Sequence, residues 1–398
     1  MSTAACPYCY HRINLGKLRF QCTGRAAPGR DRCKRVVDQD RKRLTGYGSA
    51  ALPTFPPPDS RNPLPARMAP CPDCGVASGI RACQICRTPL PANFADGRSP
   101  LIGMVGGKNA GKTVYTTVLA HELMHNIRSR FAADVCFTGD QQGGTGSITD
   151  WLAGYEQALF EDRRLFESTA SSADGLKVPL VMQWRQPRRS LGRETYHTTT
   201  LSFYDAAGED MTTQDFVNAQ AYLAAADGLI VLLDPFQLKG SLDRISVPDA
   251  SRKDSEPPIN VLTRITQLLR TSQGVASRRK IATPVAVVFS KFDAFFPALG
   301  DGHPLLRSPD PGPSYDEGHG RDTDEHLRAL LADLGADDID AHLRSNYKKH
   351  RYFAVSSLGA EPDYARNRVD SRGVRPFRAD EPLLWLLGLF RVIERSNS

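Results

Sequence analysis

Three groups of residues in this chain have types and spacings that could do chemistry. Residues 106–113, GGKNAGKT, follow the pattern G-x-x-x-x-G-K-[ST], in which successive backbone N–H groups face phosphate oxygens. Residues 121–125, HELMH, fit the H-E-x-x-H pattern by which zinc peptidases hold their metal. Eight of the nine cysteines fall within the first 86 residues, six of them paired as C-x-x-C, a spacing that suits tetrahedral metal binding. The first two patterns share one stretch of chain, and both cannot govern it.

A phosphate turn needs a strand before it and a helix after it. LIGMVG at 101–106 reads as that strand and 112–130 as that helix. In this setting Gly106, Gly107, Lys108, Asn109, Ala110 and Gly111 wrap the phosphates, and the helix N-terminus adds its positive end. Lys112 reaches the β- and γ-phosphates, and the Thr113 hydroxyl ligates Mg²⁺. Further short apolar runs alternate with helical patterns: VPLVMQW and HTTTLSFYD as a strand pair, then GLIVLLD, PVAVVFS and RYFAVSS. They predict an α/β domain with a mostly parallel six-stranded sheet flanked by helices. Helices are expected at 213–225, 258–270, 323–334 and 381–394, and surface insertions at 239–257 and 300–320.

Several strands end in residues suited to a nucleotide, at the edge where open α/β sheets bind ligands. FYDAAGED supplies Asp205, which would hold Mg²⁺ through water, and Gly208, whose amide would meet the γ-phosphate. FSKFD supplies Asp293, able to accept hydrogen bonds from guanine N1 and N2, with the stem of Lys291 over the ring. AVSSLG puts backbone near Ser357 within reach of guanine O6.

The order GGKNAGKT, DAAG, SKFD, SSL resembles that of the translation-factor-class (TRAFAC) GTPases. Residues 98–398 are most similar to the bacterial double-GTPase type-two proteins, predicted GTPases often associated with prokaryotic conflict systems. The resemblance implies a P-loop GTPase that binds GTP and Mg²⁺, hydrolyses GTP, and signals to a protein effector or activating partner. It also implies a switch threonine before the second strand, where Thr169 is the candidate and Ser168 and Ser171 are rivals. The catalytic set carried over is Lys112, Thr169, Gly208 and Glu209. Glu209 stands where many Ras-like GTPases have a water-orienting Gln, and Ser290 stands where the family pattern has Asn or Thr.

On a helix starting at 112, Leu119, Ala120, Leu123, Met124, Ile127 and Phe131 share one arc, leaving His121 and His125 on the other side. A zinc peptidase also needs a third ligand and a cleft, and no downstream H-x-x-G-x-x-H follows. The expectation is that replacing both histidines changes neither metal content nor nucleotide turnover.

The cysteines read as two consecutive tetrads. Cys6, Cys9, Cys22 and Cys33 lie in a basic zinc-binding segment, 1–44, that has few apolar residues. Cys71, Cys74, Cys83 and Cys86 form a compact zinc ribbon within 71–92, after a Pro-rich spacer at 45–70. His11 as a ligand and exchange of ligands between the tetrads are the alternatives. Cys136 reads as a small apolar residue. Up to residue 98 there are sixteen Lys and Arg against six Asp and Glu, so the basic excess belongs to this part of a chain whose overall charge is +7. Two Cys₄ zinc sites would lower that excess and still leave it able to attract an acidic partner or nucleic acid. Aromatic residues interleave the basic ones only thinly, at Tyr8, Tyr10, Phe20 and Tyr47, so stacking platforms for bases are not obvious. LLWLLGLFRVI at 383–393 is too short to span a bilayer and reads as a buried helix, so no membrane insertion is expected. The first residues lack a signal-peptide pattern, which makes the cytoplasm the expected compartment.

Overall fold

The computed structural model describes residues 3–58, 66–94, 99–138, 148–165, 179–190, 193–206, 221–248 and 256–397. The chain divides into two compact units. One comprises Met1–Leu101, Asp134–Asp150 and Leu176–Tyr204, and the other comprises Ile102–Ala133, Trp151–Gly175 and Asp205–Ser398.

The first unit is built from very short strands and one longer antiparallel group. β1 (Thr3–Ala5) and β2 (Arg12–Asn14) form a hairpin around Cys6 and Cys9. β3 (Arg19–Gln21) pairs with both β4 (Thr54–Phe55) and β7 (Arg81–Ala82). β5 (Ala69–Pro70) and β6 (Ala77–Ser78) form a second hairpin around Cys71 and Cys74. Strands of two or three residues cannot hold themselves together, so side-chain clusters must do it. One cluster packs Tyr8, Ile13, Leu18, Tyr47, Leu90 and Phe94 around four cysteines. The other packs Phe20, Phe55 and Ala69 around three more.

In the same unit, β9 (Asp134–Thr138) pairs antiparallel with β10 (Leu180–Ser190), which pairs with β11 (Arg193–Ala206). The cysteine-bearing part is fastened to these strands. Ser202 Oγ donates to the Pro7 carbonyl at 2.8 Å, Gln183 Nε2 to the Ala92 carbonyl at 3.1 Å, and Tyr47 OH to the Pro179 carbonyl at 3.3 Å. Val181 of β10 joins the first cluster.

The second unit contains β8 (Leu101–Gly106), β12 (Gly228–Leu233), β13 (Val285–Phe289) and β15 (His350–Ala354), all parallel, in the order β15-β13-β12-β8. Every residue of β8, β12 and β13 is buried, as parallel strands covered on both faces require. β14 (Ser314–Asp316) and β16 (Glu394–Ser396) make a small separate pair. Helices Pro258–Gln273, Glu317–Asp333, Asp337–Asn346 and Glu381–Leu389 belong to this unit. In the last of these, residues 381–388 are buried without exception, and among the described residues no helix is long and apolar enough to cross a membrane.

All six strands expected from the sequence are present. β9 and the helix Asp337–Asn346 were not expected. The helix after the phosphate turn runs from Lys112 to Glu122, continues as a π-helix from Leu123 to Ile127, and ends at Arg130. Leu119, Ala120, Leu123, Ile127 and Phe131 of the expected arc are buried, while Met124 is only partly so. Of the helix expected at 213–225, residues 221–225 are described and are helical.

Candidate functional site

Strand register explains why distant motifs meet. Gly106 pairs with Leu232, Leu233 with Phe289, and Phe289 with Ala354. The four parallel strands therefore end level with one another, and the loops that follow them emerge at one edge of the sheet.

The phosphate turn leaves β8 at Gly106. A Cβ there would lie 2.9 Å from the Leu232 carbonyl oxygen, so only glycine fits beside β12. Asn109 and Gly111 adopt left-handed backbone conformations, φ 61° and 82°, and Gly111 caps the helix that begins at Lys112. Lys112 curls back over the turn and donates from Nζ to the carbonyls of Gly106 (3.1 Å) and Gly107 (2.9 Å). Thr113 lies in the first helical turn and is partly buried. Ala110 is buried under the turn, while Lys108 and Asn109 are exposed.

The loop after β13 carries the second element. Ser290 Oγ donates to the Leu233 carbonyl at 3.0 Å, and its backbone N–H bonds the same oxygen at 3.1 Å, tying the ends of β12 and β13 together. Lys291 takes a left-handed conformation (φ 54°) and pairs with Asp234 Oδ2 at 2.7 Å, its ammonium 4.9 Å from the centre of the Phe236 ring. Asp293 is buried. Ser356 Oγ donates to its Oδ1 at 2.5 Å and in turn accepts the Gly359 N–H at 2.7 Å. Burial pushes the Asp293 carboxyl above the usual carboxylate range, against the opposing pull of the Ser356 bond and Lys291. Ser357 follows Ser356 in the loop after β15 and is partly buried.

Two residues of this edge were not read from the sequence. Asp234 ends the apolar run GLIVLLD, where the Asp was the signal, and it anchors both Lys291 and the backbone N–H of Phe236 (3.0 Å). Tyr364 carries a phenol pushed well above its ordinary range by burial and then by the charges of Asp293 and Asp234. Asp205 occupies the end of β11. Thr169, Ser168, Ser171, Gly208 and Glu209 lie outside the described residues.

The cysteines do form two groups of four, but not the consecutive ones. Cys6 and Cys9 join Cys83 and Cys86, while Cys22 and Cys33 join Cys71 and Cys74. The consecutive assignment is therefore corrected in favour of exchange between the tetrads. The reason lies in the pairing of β3 with β4 and β7: it brings both ends of this region together, so 1–44 and 71–92 do not fold as separate modules and the Pro-rich stretch contributes a strand. Sulfur pairs lie 3.8 Å (Cys6–Cys86), 3.9 Å (Cys9–Cys83), 3.5 Å (Cys22–Cys74) and 3.7 Å (Cys33–Cys71) apart. A tetrahedral zinc with Zn–S bonds of about 2.3 Å has edges of about 3.8 Å, so both groups fit the metal. The separations also exclude disulfides. Backbone N–H groups of Gly24 and Ile85 point at Cys22 and Cys83 at 3.3 Å, the support a thiolate ligand needs. Hydrogen bonds from Cys6 and then Cys86 hold the Cys83 thiol well below its ordinary range, while burial pushes Cys6 up. His11 bonds the Cys9 carbonyl through Nδ1 (2.8 Å) and belongs to neither group. Cys136 is half-buried rather than buried.

The structure also gives the histidine pair a partner that sequence spacing did not reveal. His121 and His125 come together with Glu156, the last residue of the helix Ile148–Glu156. Tyr8, Tyr10, Phe20 and Tyr47 are all buried and so unavailable to stack on bases.

The profile of the family described as "Double-GTPase 2" matches residues 100–342, more than half of the chain. A protein of Mycolicibacterium smegmatis (strain ATCC 700084 / mc(2)155), "Putative ESX-1 scaffolding and assembly protein SaeC", is 27% identical over 363 residues, covering 85% of each chain. Two solved GTPase structures also match at 11% identity. They are the G domain of the T. maritima FeoB iron transporter (TM-score 0.23, 66% of this chain and 91% of that one) and the S. cerevisiae Ski7 GTPase-like domain bound to GTP (TM-score 0.33, 70% and 50%).

Proposed function

The chain belongs to the Double-GTPase 2 family, and from that premise we propose that it is a GTP-dependent switch that assembles with protein partners. The observation that carries this reading is the level ending of β8, β12, β13 and β15, which gathers the phosphate turn, the Asp293 loop and the Ser357 loop at one edge. In the proposed complex, N–H groups of residues 106–111 and Lys112 hold the phosphates, Asp293 accepts from guanine N1 and N2, and backbone near Ser357 faces guanine O6. Thr113 and Asp205 would hold Mg²⁺, which neutralises charge on the β- and γ-phosphates when bound. Lys112 already spans the turn, and GTP would exchange its carbonyl partners for phosphate oxygens. Titration calorimetry with GTP and ATP tests the base assignment. A clear preference for GTP is expected, and equal affinities would overturn it.

Hydrolysis by the isolated chain is expected to be slow. Glu209, the residue after Gly208, would set a carboxylate beside an anionic γ-phosphate, and repulsion should keep it from orienting the attacking water. An arginine finger contributes about 10³ to 10⁵ in rate, and no motif assigns one here. Single-turnover assays should give roughly 10⁻⁴ to 10⁻² s⁻¹, the range of unassisted switches. Fast turnover abolished by Glu209→Ala would instead make the glutamate a competent catalyst.

Two observations favour a protein as the partner over nucleic acid. The aromatic residues of the basic region are buried, whereas Val36, Val37, Met68 and Ile80 of the same unit are exposed. The scaffolding and assembly role in the name of the mycolicibacterial relative points the same way. A conflict-system role has no comparable support.

A further inference from the structure

His121 and His125 sit one turn apart on the helix that follows the phosphate turn, with ring centres 4.2 Å apart and planes inclined by 28°. Phe160 covers the opposite face of His121 at 3.9 Å, its ring inclined by 19°. Glu156 Oε1 lies 2.8 Å from His121 Nδ1, and one donor atom from each of His121, His125 and Glu156 lies within 4.8 Å of the others. Both helices that contribute change to π geometry at this point, over Leu123–Ile127 and Gln157–Glu161. Such π-bulges occur mostly as single turns and frequently at functional sites.

The hydrogen bonds set the chemistry of the rings. His125 Nδ1 is 2.9 Å from the His121 carbonyl, which can only accept, so Nδ1 carries the proton and Nε2 is the basic nitrogen of the neutral ring. At His121 the facing atoms are Nδ1 and Glu156 Oε1, 2.8 Å apart, so an ion shared by these two residues would take the place of the proton between them and His121 would ligate through Nδ1. The His125 arrangement, Nδ1–H held by a carbonyl with Nε2 left basic, is the usual state of a metal-ligating imidazole. Glu122, which the peptidase pattern would use as a base, is engaged elsewhere: Asn126 Nδ2 donates to both its oxygens at 3.0 and 2.9 Å.

We propose that His121, His125 and Glu156 form a third metal site, one that takes a borderline divalent ion such as Zn²⁺ or Co²⁺. Two imidazoles and one carboxylate suit these ions and not Mg²⁺ or Ca²⁺, which prefer all-oxygen sets. A tetrahedral ion with bonds of about 2.0–2.1 Å needs ligand atoms about 3.3 Å apart. The donor atoms, within 4.8 Å of one another, would have to draw together to close the set, and the His121 and Glu156 side chains are only 26% and 29% exposed. Three protein ligands leave a coordination position to water, so this ion exchanges more readily than those in the buried Cys₄ groups. Binding would clamp the helix that carries the phosphate turn to the helix that ends at Glu156.

The test uses the full chain loaded with two zinc equivalents and titrated with Co²⁺. One further equivalent is expected, showing d–d absorption without the sulfur-to-cobalt charge transfer of a thiolate site, and excess Mg²⁺ should not displace it. The double variant His121→Ala/His125→Ala should keep two zinc equivalents and lose the third ion. Glu156→Gln removes a ligand and should weaken the third ion by at least the roughly 10- to 100-fold that loss of an outer-shell partner costs. Absence of a third equivalent in the parent chain, or its persistence in the double variant, overturns the proposal. If the double variant also loses cage zinc, Glu156→Gln decides, and unchanged Co²⁺ affinity in that variant counts against the site.

Discussion

The thiolate cages and the phosphate turn both exist to hold charge, and they are assembled in opposite ways. The turn is eight consecutive residues whose backbone is bent locally at Asn109 and Gly111. Each cage takes two cysteines from near the N-terminus and two from 38 to 80 residues further on. A contiguous cradle can be recognised from its spacing alone, because the residues that form it are neighbours in sequence, even though the approach of β12 is what requires glycine at 106. A cage made of two separated cysteine pairs has its ligand types written in the sequence but its pairing decided by tertiary structure, here by β3 lying between β4 and β7. The difference also predicts how each should fail. Loss of a cage ligand should unfold a region, whereas loss of a turn residue should weaken one ligand.

The largest effect is therefore expected at the cages. Structural zinc contributes about 10–16 kcal/mol of apparent binding free energy, more than the stability of most small domains. Metal analysis of double variants can break the crossed assignment outright. Cys9→Ser/Cys83→Ser removes two ligands from one cage and should leave one zinc per chain, whereas Cys9→Ser/Cys22→Ser damages both cages and should leave none. Consecutive tetrads would give the reverse. Chelation of both ions should release the apolar clusters around Tyr8 and Phe20, visible as exposure of aromatic side chains.

An intermediate effect is expected on base recognition. Asp293→Asn replaces an acceptor with a donor where guanine offers N–H groups, and hydrogen bonds to a charged group are worth about 1.5–3 kcal/mol. GTP affinity should fall by roughly 10- to 150-fold, while xanthosine triphosphate, with an oxygen in place of the amino group, should gain. The pH dependence follows from the same carboxylate. Its pKa is raised by burial, so it is protonated at a higher pH than an ordinary Asp, near 3.9. GTP affinity should decline as pH falls through that raised value, and in Asp293→Asn the decline should disappear. Titration calorimetry across pH checks both outcomes, and a pH-independent parent protein would remove Asp293 from base recognition.

Much of this site was legible because the sheet is parallel and buried. LIGMVG, GLIVLLD, PVAVVFS and RYFAVSS are continuous apolar runs, and each ends where the chain must turn, so the residues that follow mark one sheet edge. Asp234 was hidden by its own run: nothing local announces that Lys291, 57 residues later, will pair with it. The helix Asp337–Asn346 was missed because it buries only Ile339 and Leu343, although three acidic residues in its first turn were an available signal. β9 carries one fully buried residue in five, too weak an alternation to stand out. Glu156 escaped because a third metal ligand supplied by a different helix has no fixed spacing from His121 and His125.

The smallest effect, and the finest test of local against distant control, concerns Ser290. It stands where the family pattern has Asn or Thr, and its hydroxyl reaches across to the Leu233 carbonyl at 3.0 Å, where the Ser290 N–H also bonds. The residue thus ties the loop carrying Lys291 and Asp293 to the strand that ends at Asp234. Ser290→Ala removes the side-chain bond but keeps the backbone bond, so the carbonyl stays satisfied and the loss should be that of one neutral hydrogen bond, about 1 kcal/mol. If the bond acts only on stability, chemical denaturation should report that loss while GTP affinity stays unchanged. If it holds the Asp293 loop in place, GTP affinity should drop about fivefold with ATP affinity unmoved, and Ser290→Thr, which retains the hydroxyl, should restore it. We expect the second outcome, because Ser290 is buried and only three residues from the carboxylate that it would position. Equal losses for GTP and ATP would instead assign Ser290 to the sheet edge as a whole and separate it from base recognition.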